Sequence, residues 1–423
     1  MLDMEFIVQN LDEVRRAIAV KGVDLDLDRL LAMHGEVKAL LLQVEERRHE
    51  RNDLSKQTGQ ASEEERASLI ERSREVGRAL KELEPTLREK QEELRALLLQ
   101  VPNIPAADEP VGDDEEANVE LRRWGEPPDF SFRPRDHVAL LELNDWAELG
   151  RIGQVAGART HALKGDMVSL EIALWRLALD LLQERGFAPI SLPALAREEA
   201  FVGTGHFPIG RQEVYRLGDD ELYLSGTSEV ALTSLHSGEI LAEADLPIRY
   251  AGFSTCFRRE AGAAGRDVRG LFRVHQFSKV EQYVLCAADR EESARWFDSL
   301  LENAETLVQA LELPYRVVRT STGEMGAGKV RMWDIECWVP TQERYRETHS
   351  VSELYDWQAR RADLRYRDAE GKVRHAYTLN NTAIATPRIL VPFLEVHQQE
   401  HGAVRVPEQL RPYLGGAEAL GGR

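Results

Sequence analysis

The sequence predicts an α+β protein, in which an antiparallel two-helix coiled coil precedes a larger domain built on an antiparallel sheet. Three observations carry that expectation. Two long heptad-spaced apolar runs stand near the N-terminus, and an acidic, proline-containing segment follows them. The remainder mixes helical patterns with short strands and hairpins instead of regular βαβ alternation. The 423 residues suit two or three domains, and 43% apolar content is ample for a large core.

The first run places Leu30, Met33, Val37, Leu40, Val44, Arg47, Arg51 and Leu54 at steps of three and four. The second reads Leu69, Ser73, Val76, Leu80, Leu83, Leu87, Lys90, Leu94, Leu97 and Val101. A polar tip is expected at Gln57–Ser62, with helices of roughly 40–50 Å on either side. Arg47, Arg51, Ser73 and Lys90 interrupt the seam, so it should weaken toward the tip. Pro85 should kink or break the second helix. Residues 43–78 carry eight Lys/Arg against nine Asp/Glu, nearly neutral within a chain of net charge −19. That charge argues against broad coating of nucleic acid, and leaves a local contact or a plain oligomerisation spacer as readings of the arm.

Pro102–Asn118 holds three prolines and six acidic residues with no basic one, which resists helix and marks a boundary. Beyond it, Met167–Arg185 and Glu291–Glu312 read as helices, Trp333–Val339 and Tyr283–Cys286 as strands. No apolar run approaches the ~18 residues of a membrane span. MLDMEFIVQN lacks the regions of a signal peptide. Cys256, Cys286 and Cys337 are odd in number and widely spaced, so reduced thiols in a cytosolic protein are expected, without a Cys-rich zinc site.

Chemistry concentrates in Phe253–Tyr283. Two strand-like runs flank a Gly-rich loop, and Arg258, Arg259, Arg266, Arg269 and Arg273 crowd into sixteen positions. Guanidinium forks set against so negative a chain point to a bound polyanion, although a solvated surface hairpin would show the same charges. Alternation after the loop puts Arg273, His275, Phe277, Lys279 and Glu281 on one face. Thr227-Ser228-Glu229 supplies a carboxylate for an ammonium group, or a cap for a helix starting there. Gly323–Lys329 spells the start of a P-loop, but Val330 replaces the required Ser/Thr and a strand-like run follows, so a turn is expected.

The FRxEAGxxGRDxRGLxRxHQFxKVE string resembles motif 2 of class II aminoacyl-tRNA synthetases, and in detail that of seryl-tRNA synthetases of the bacterial type. The similarity runs through essentially the whole chain. It implies a class II antiparallel-sheet catalytic domain at 119–423, an acidic linker at 104–118, and a tRNA-binding domain with its coiled-coil arm at 1–103. Gly186–Pro193, GFAPISLP, resembles motif 1, which implies a homodimer. The resemblance further implies ATP, L-serine and tRNA(Ser) as substrates, Mg²⁺ as cofactor and a cytoplasmic location, leaving tRNA(Sec) open. The arm would lie against the variable arm and elbow of the tRNA, reading backbone and shape.

Residue by residue, the resemblance assigns serine binding to Thr227, Ser228, Glu229, Arg258, Glu281, Asn380 and Thr382. Glu281 and Thr382 would take the hydroxyl and Glu229 the ammonium. ATP binding falls to Arg258, Arg259, Glu260, Arg273, Val274, Phe277, Glu347, Thr348, His349, Ser350 and Arg388. Arg258 would span the α-phosphate and the serine carboxylate, Glu260 the adenine amino group, and Phe277 the adenine face. Arg388 would hold the γ-phosphate, helped by unpaired amides where its helix opens. Glu347 and Ser350 would coordinate Mg²⁺. Arg258 and Arg388 are the expected catalytic residues. The chain departs from the usual pattern at Arg259, Val351, Thr386-Pro387 and Pro392.

Overall fold

The computed structural model describes residues 1–422 apart from 263, 264, 266 and 268. Arg266 therefore lies outside the described residues. Two compact units emerge, one of Leu2–Ala19 with Val23–Pro102, the other of Asn103–Arg423 with Met1 and Val20–Gly22.

The first unit is dominated by helices α1 (Leu27–Gln60) and α2 (Glu63–Leu98), which pair as a hairpin. Asp26 caps α1 by accepting from the Arg29 amide, and Ser62 with Glu65 forms a capping box on α2. Helical structure continues through Gln60, so the tip is shorter than the expected Gln57–Ser62 and consists of Ala61 and Ser62. Leu30, Met33, Val37, Val44 and Leu54 are buried with Val76, Leu80, Leu87 and Leu94, each contributing about 1.5–3 kcal/mol when fully covered. Arg47 and Arg51 turn outward, and salt bridges join the helices from Arg48 to Glu84, Arg72 to Glu50 and Lys90 to Glu36. Exposed pairs of this kind add at most about 1 kcal/mol, so the apolar seam holds the arm. Pro85 does not break α2, which runs on as one helix. It removes one backbone donor without ending the neighbouring turns.

The second unit is organised by an eight-stranded sheet. In chain order its strands are β1 (Val119–Trp124), β2 (Ala188–Ser191), β3 (Ile248–Phe257), β4 (Gln276–Cys286), β5 (Tyr315–Arg319), β6 (Arg331–Val339), β7 (Arg344–Tyr355) and β8 (Tyr377–Thr386). Across the sheet they run β1-β5-β6-β7-β8-β4-β3-β2. All neighbours are antiparallel except β2, which joins β3 in parallel at the edge. Five helices matter to the site: α3 (His137–Leu143), α4 (Asp166–Glu184), α5 (Glu229–Ser234), α6 (Arg290–Ala310) and α7 (Leu390–His397). Leu170 and Leu174 of α4 and Phe297, Leu300 and Leu307 of α6 share one core with Val284, Val351, Leu379 and Ile384 of the central strands. One face of the sheet is thereby closed, leaving side chains of the other free for chemistry.

One local reading changes and another stands. The acidic segment has no core of its own, yet it is not a loose spacer. Asn103 donates from Nδ2 to Gly328 O and Leu354 O, and Glu109 is buried against Arg331 and Trp333. Its charges find arginines on the sheet. The Gly323–Lys329 turn leads directly into β6 with no helix between, which removes the P-loop geometry.

Candidate active site

Strands β3 and β4 pair in register with Phe277 opposite Cys256, and β4 pairs β8 with Glu281 opposite Thr382. Adjacent strands thus carry the two groups expected to meet a hydroxyl. Their open face forms one trough made of two adjoining cavities that share Arg258, Lys279, Glu347 and Thr382.

The inner cavity encloses about 370 Å³ and is walled by Thr227, Glu229, Glu281, Ser350, Gln358 and Asn380 among others. Glu281 is buried, and Lys279 Nζ reaches its Oε1 at 2.8 Å. Its Oε2 accepts from the Thr227 and Ser228 hydroxyls and, at 3.1 Å, from the Glu229 amide. Burial alone would raise its pKa, but Lys279 and the two hydroxyls outweigh it and hold the carboxyl below its ordinary value. Glu229 takes the opposite course. Burial, and then the charge of Glu281, raise its pKa, while Gln358 Nε2 at 2.6 Å and Asn380 Nδ2 at 2.9 Å donate to its Oε1. The two readings of Thr227-Ser228-Glu229 therefore merge. A helix starts at Glu229, but Ser228 makes no side-chain cap; its hydroxyl serves Glu281, whose carboxylate meets the first amide of α5.

The outer cavity is lined by Arg258, Glu260, Phe272, Val274, Phe277, Thr348 and Arg388. Arg258 is exposed, its guanidinium 5.2 Å over the Phe277 ring, with a single weak bond at 3.4 Å to Gly226 O. Arg388 lies 4.9 Å over Phe272 and 3.4 Å from Glu347. Glu260 adopts φ +52° and pairs with Arg273 at 2.7 Å. Ser350 faces Asp334 on the neighbouring strand, and burial followed by the charge of Glu347 pushes the Asp334 carboxyl up to about 8 against the opposing pull of the Ser350 hydroxyl.

Not every expected residue reaches the trough. β4 begins at Gln276, so the alternating face starts at Phe277; Arg273 stands behind Glu260 and His275 bonds back to Arg258 O. Arg259 points away, donating to Gln212 O at 3.2 Å. His349 is buried beside Thr348, with burial driving its pKa down to about 4. The amides expected to be free ahead of α7 are taken. Ile389, Leu390 and Val391 donate to Ala385, Pro387 and Arg388 carbonyls, so an anion there would meet the Arg388 guanidinium instead. Pro392 falls in the first turn, where a missing amide costs little. Several residues of the trough carry no role in the sequence reading. Lys279 is visible there through alternation; Phe272 stands at a variable position of the motif 2 string, and Gln358 lies in no motif and gives no signal.

A trough in which arginines flank an aromatic ring, beside a small carboxylate-lined cavity, invites comparison with known proteins. Residues 1–105 match the seryl-tRNA synthetase N-terminal domain, and residues 213–397 the tRNA synthetase class II core domain (G, H, P, S and T). A serine–tRNA ligase of Deinococcus radiodurans is 58% identical over 421 residues, spanning 100% of this chain and 99% of its own. The chain belongs to the serine–tRNA ligase family. A second serine–tRNA ligase, from Symbiobacterium thermophilum, is 42% identical with 98% of both chains covered. Among solved structures, the seryl-tRNA synthetase of Pyrococcus horikoshii complexed with ATP superposes with a TM-score of 0.92 at 38% identity, covering 100% of this chain and 99% of that one. The cytoplasmic serine–tRNA ligase of Naegleria fowleri in complex with AMP gives 0.85 at 29% identity, with 97% and 96% covered. Among the described residues of this family member, no helix is long and apolar enough to cross a membrane.

Proposed function

We propose that the chain activates L-serine with ATP to seryl-adenylate and transfers the seryl group to the 3′ end of tRNA(Ser). The observation that carries this reading is Glu281, paired with Lys279, fixed opposite Thr382 and beside Glu229 and Asn380 at the inner end of an arginine-flanked trough. A carboxylate offers about four lone-pair sites. Three donors crowd the two sites of Oε2, whereas among the described residues Oε1 meets Lys279 alone, so its second site suits the serine hydroxyl. An alanine side chain would leave that acceptor unpaired, which is worth roughly 10⁴-fold in selectivity. Thr227 and Ser228 serve serine through Glu281, and Glu229, with Asn380 bracing it, receives the α-ammonium.

In the first step the serine carboxylate attacks the α-phosphorus and the bond to pyrophosphate breaks. In the second the terminal ribose hydroxyl of the tRNA attacks the acyl carbon and AMP leaves. No side chain is needed as a strong base; Arg258 and Arg388 position and neutralise phosphate charge. Phe277 stacks on adenine with Glu260 at its edge, while Val274 and Thr348 line the same cavity. Glu347 and the Ser350 hydroxyl, both lining the inner cavity, are hard oxygen donors that fit Mg²⁺, which when bound would neutralise phosphate charge.

The arm is assigned to tRNA, with residues 1–103 as the tRNA-binding domain, 104–118 the linker and 119–423 the catalytic domain. A homodimer is proposed through α4 and the edge strand β2, where Val168 and Ile172 are exposed. Such a protein works in the cytoplasm, beside the tRNA pool. Serine-dependent ATP–pyrophosphate exchange and tRNA(Ser) charging, with and without residues 43–78, test the whole. Deletion should leave exchange intact and abolish charging; equal loss of both, or of neither, would defeat the arm's role.

A further inference from the structure

Behind the nucleotide end of the trough, His137 closes a ring of contacts. It opens α3 and is 6% exposed. Its backbone amide and its Nδ1 both lie 3.0 Å from Glu395 Oε1 on α7. The other oxygen of Glu395 accepts from the Thr341 amide at 3.1 Å and its hydroxyl at 2.7 Å. Facing an acceptor, Nδ1 carries the proton, and Nε2 is left to accept. It receives the Leu271 amide at 3.3 Å. Leu271 and Phe272 line the outer cavity, and Phe272 lies between the guanidinium groups of Arg346 at 3.7 Å and Arg388 at 4.9 Å. Arg388 Nε also donates to Phe272 O. Arg388 stands just ahead of the helix that carries Glu395, so the ring returns to where it began. Gly270 makes room for it. Its φ is +87°, and a Cβ there would fall 2.1 Å from His137 Nε2.

We propose that His137 is a positioning residue for ATP: its ring ties the Leu271–Phe272 wall to α7 and so fixes Phe272 against Arg388 before nucleotide arrives. The proposal rests on reading the outer cavity as the ATP site. The test separates the two sides of the imidazole. His137→Asn keeps an N–H donor near the Nδ1 position and places nothing at Nε2, whereas His137→Gln carries an oxygen out toward Nε2. In pyrophosphate exchange, His137→Asn should raise KM for ATP roughly three- to tenfold, the loss of one hydrogen bond, with KM for serine within twofold. His137→Gln should restore most of it, and Gly270→Ala, which crowds the same bond, should reproduce the ATP-selective rise. Unchanged KM for ATP in His137→Asn or Gly270→Ala overturns the proposal. So does a parallel rise in both KM values that tracks a lowered melting temperature. Absence of exchange in the unaltered protein would defeat the ATP reading itself, a different result.

Discussion

The two ends of the trough are built differently. At the inner end the two carboxylates are already engaged: Glu281 takes four donors, Glu229 takes two, and both are buried or nearly so. At the outer end the guanidinium groups are lightly held, Arg258 by one bond of 3.4 Å and ring contact, Arg388 by contacts of 3.3 and 3.4 Å. The difference follows from what each end must do. A three-carbon amino acid is told from its neighbours by one hydroxyl, which demands acceptors fixed in advance and costly to leave unpaired. A triphosphate is recognised by charge, and lightly held cations, Arg258 exposed and Arg388 half-buried, suffice.

The comparison breaks most sharply at Glu281. Replacing Glu281 by Gln removes the partner of a Lys279 side chain that is itself only 6% exposed. Leaving one member of a buried pair unmatched costs about 3–5 kcal/mol, so the melting temperature should fall well below that of the parent. Discrimination between serine and alanine should collapse while KM for ATP stays near its original value. A variant of parental stability would show that the inner end is not wired as described. Arg258→Ala probes the other end. It should lower the exchange rate by about 10²–10³ with little change in melting temperature, because the side chain is exposed and lightly bonded. Near-normal exchange would remove it from the chemistry.

Protonation offers a finer cut. Burial and then Glu281 hold the Glu229 carboxyl above its ordinary pKa, so it becomes neutral sooner as pH falls. A neutral Glu229 cannot pair with an ammonium. Serine affinity should therefore decline on the acid side, starting at a pH above the usual carboxylate range, while affinity for ATP holds over the same interval. Glu229→Gln should weaken serine binding throughout and flatten that acid limb. Separate pH profiles of kcat/KM for the two substrates check it; parallel profiles would place the titration elsewhere.

Much of this architecture is legible in the amino-acid sequence, for physical reasons that also mark where legibility stops. Heptad spacing locates the arm because a two-helix seam is a repeating local pattern, and even Arg47 and Arg51 can be seen to interrupt it. Period-two alternation puts Phe277, Lys279 and Glu281 on one face, but it cannot say that β4 starts at Gln276, so it carries Arg273 and His275 too far. The opening of α7 misleads for a related reason. A helix start implies free amides on average, whereas here the turn at Thr386–Arg388 already uses them. Gln358 lies in no motif and Phe272 at a variable position of one, so neither role is legible; both arise from long-range packing. Gln358 meets Glu229 across 129 positions of chain.

Arg259 is where the contrast predicts least. It stands next to Arg258 in sequence, where the chain departs from the family pattern, and a phosphate contact, a tRNA contact or plain exposure are all open to it. Successive residues here point apart, and its guanidinium donates to Gln212 O instead of lining the cavity. Its backbone amide is held by Glu213 O, and the Ala261 and Gly262 amides bond the Glu213 carboxylate, so this turn is anchored from outside the trough. An exposed Arg-to-carbonyl bond is worth about 1 kcal/mol at most to the fold, and an exposed charge outside the cavity is weakened by salt. Arg259→Ala should accordingly change KM for ATP by less than about twofold at roughly physiological ionic strength. A tenfold rise would mean the side chain swings inward when nucleotide binds, and would make the outer end a closing site rather than a standing one.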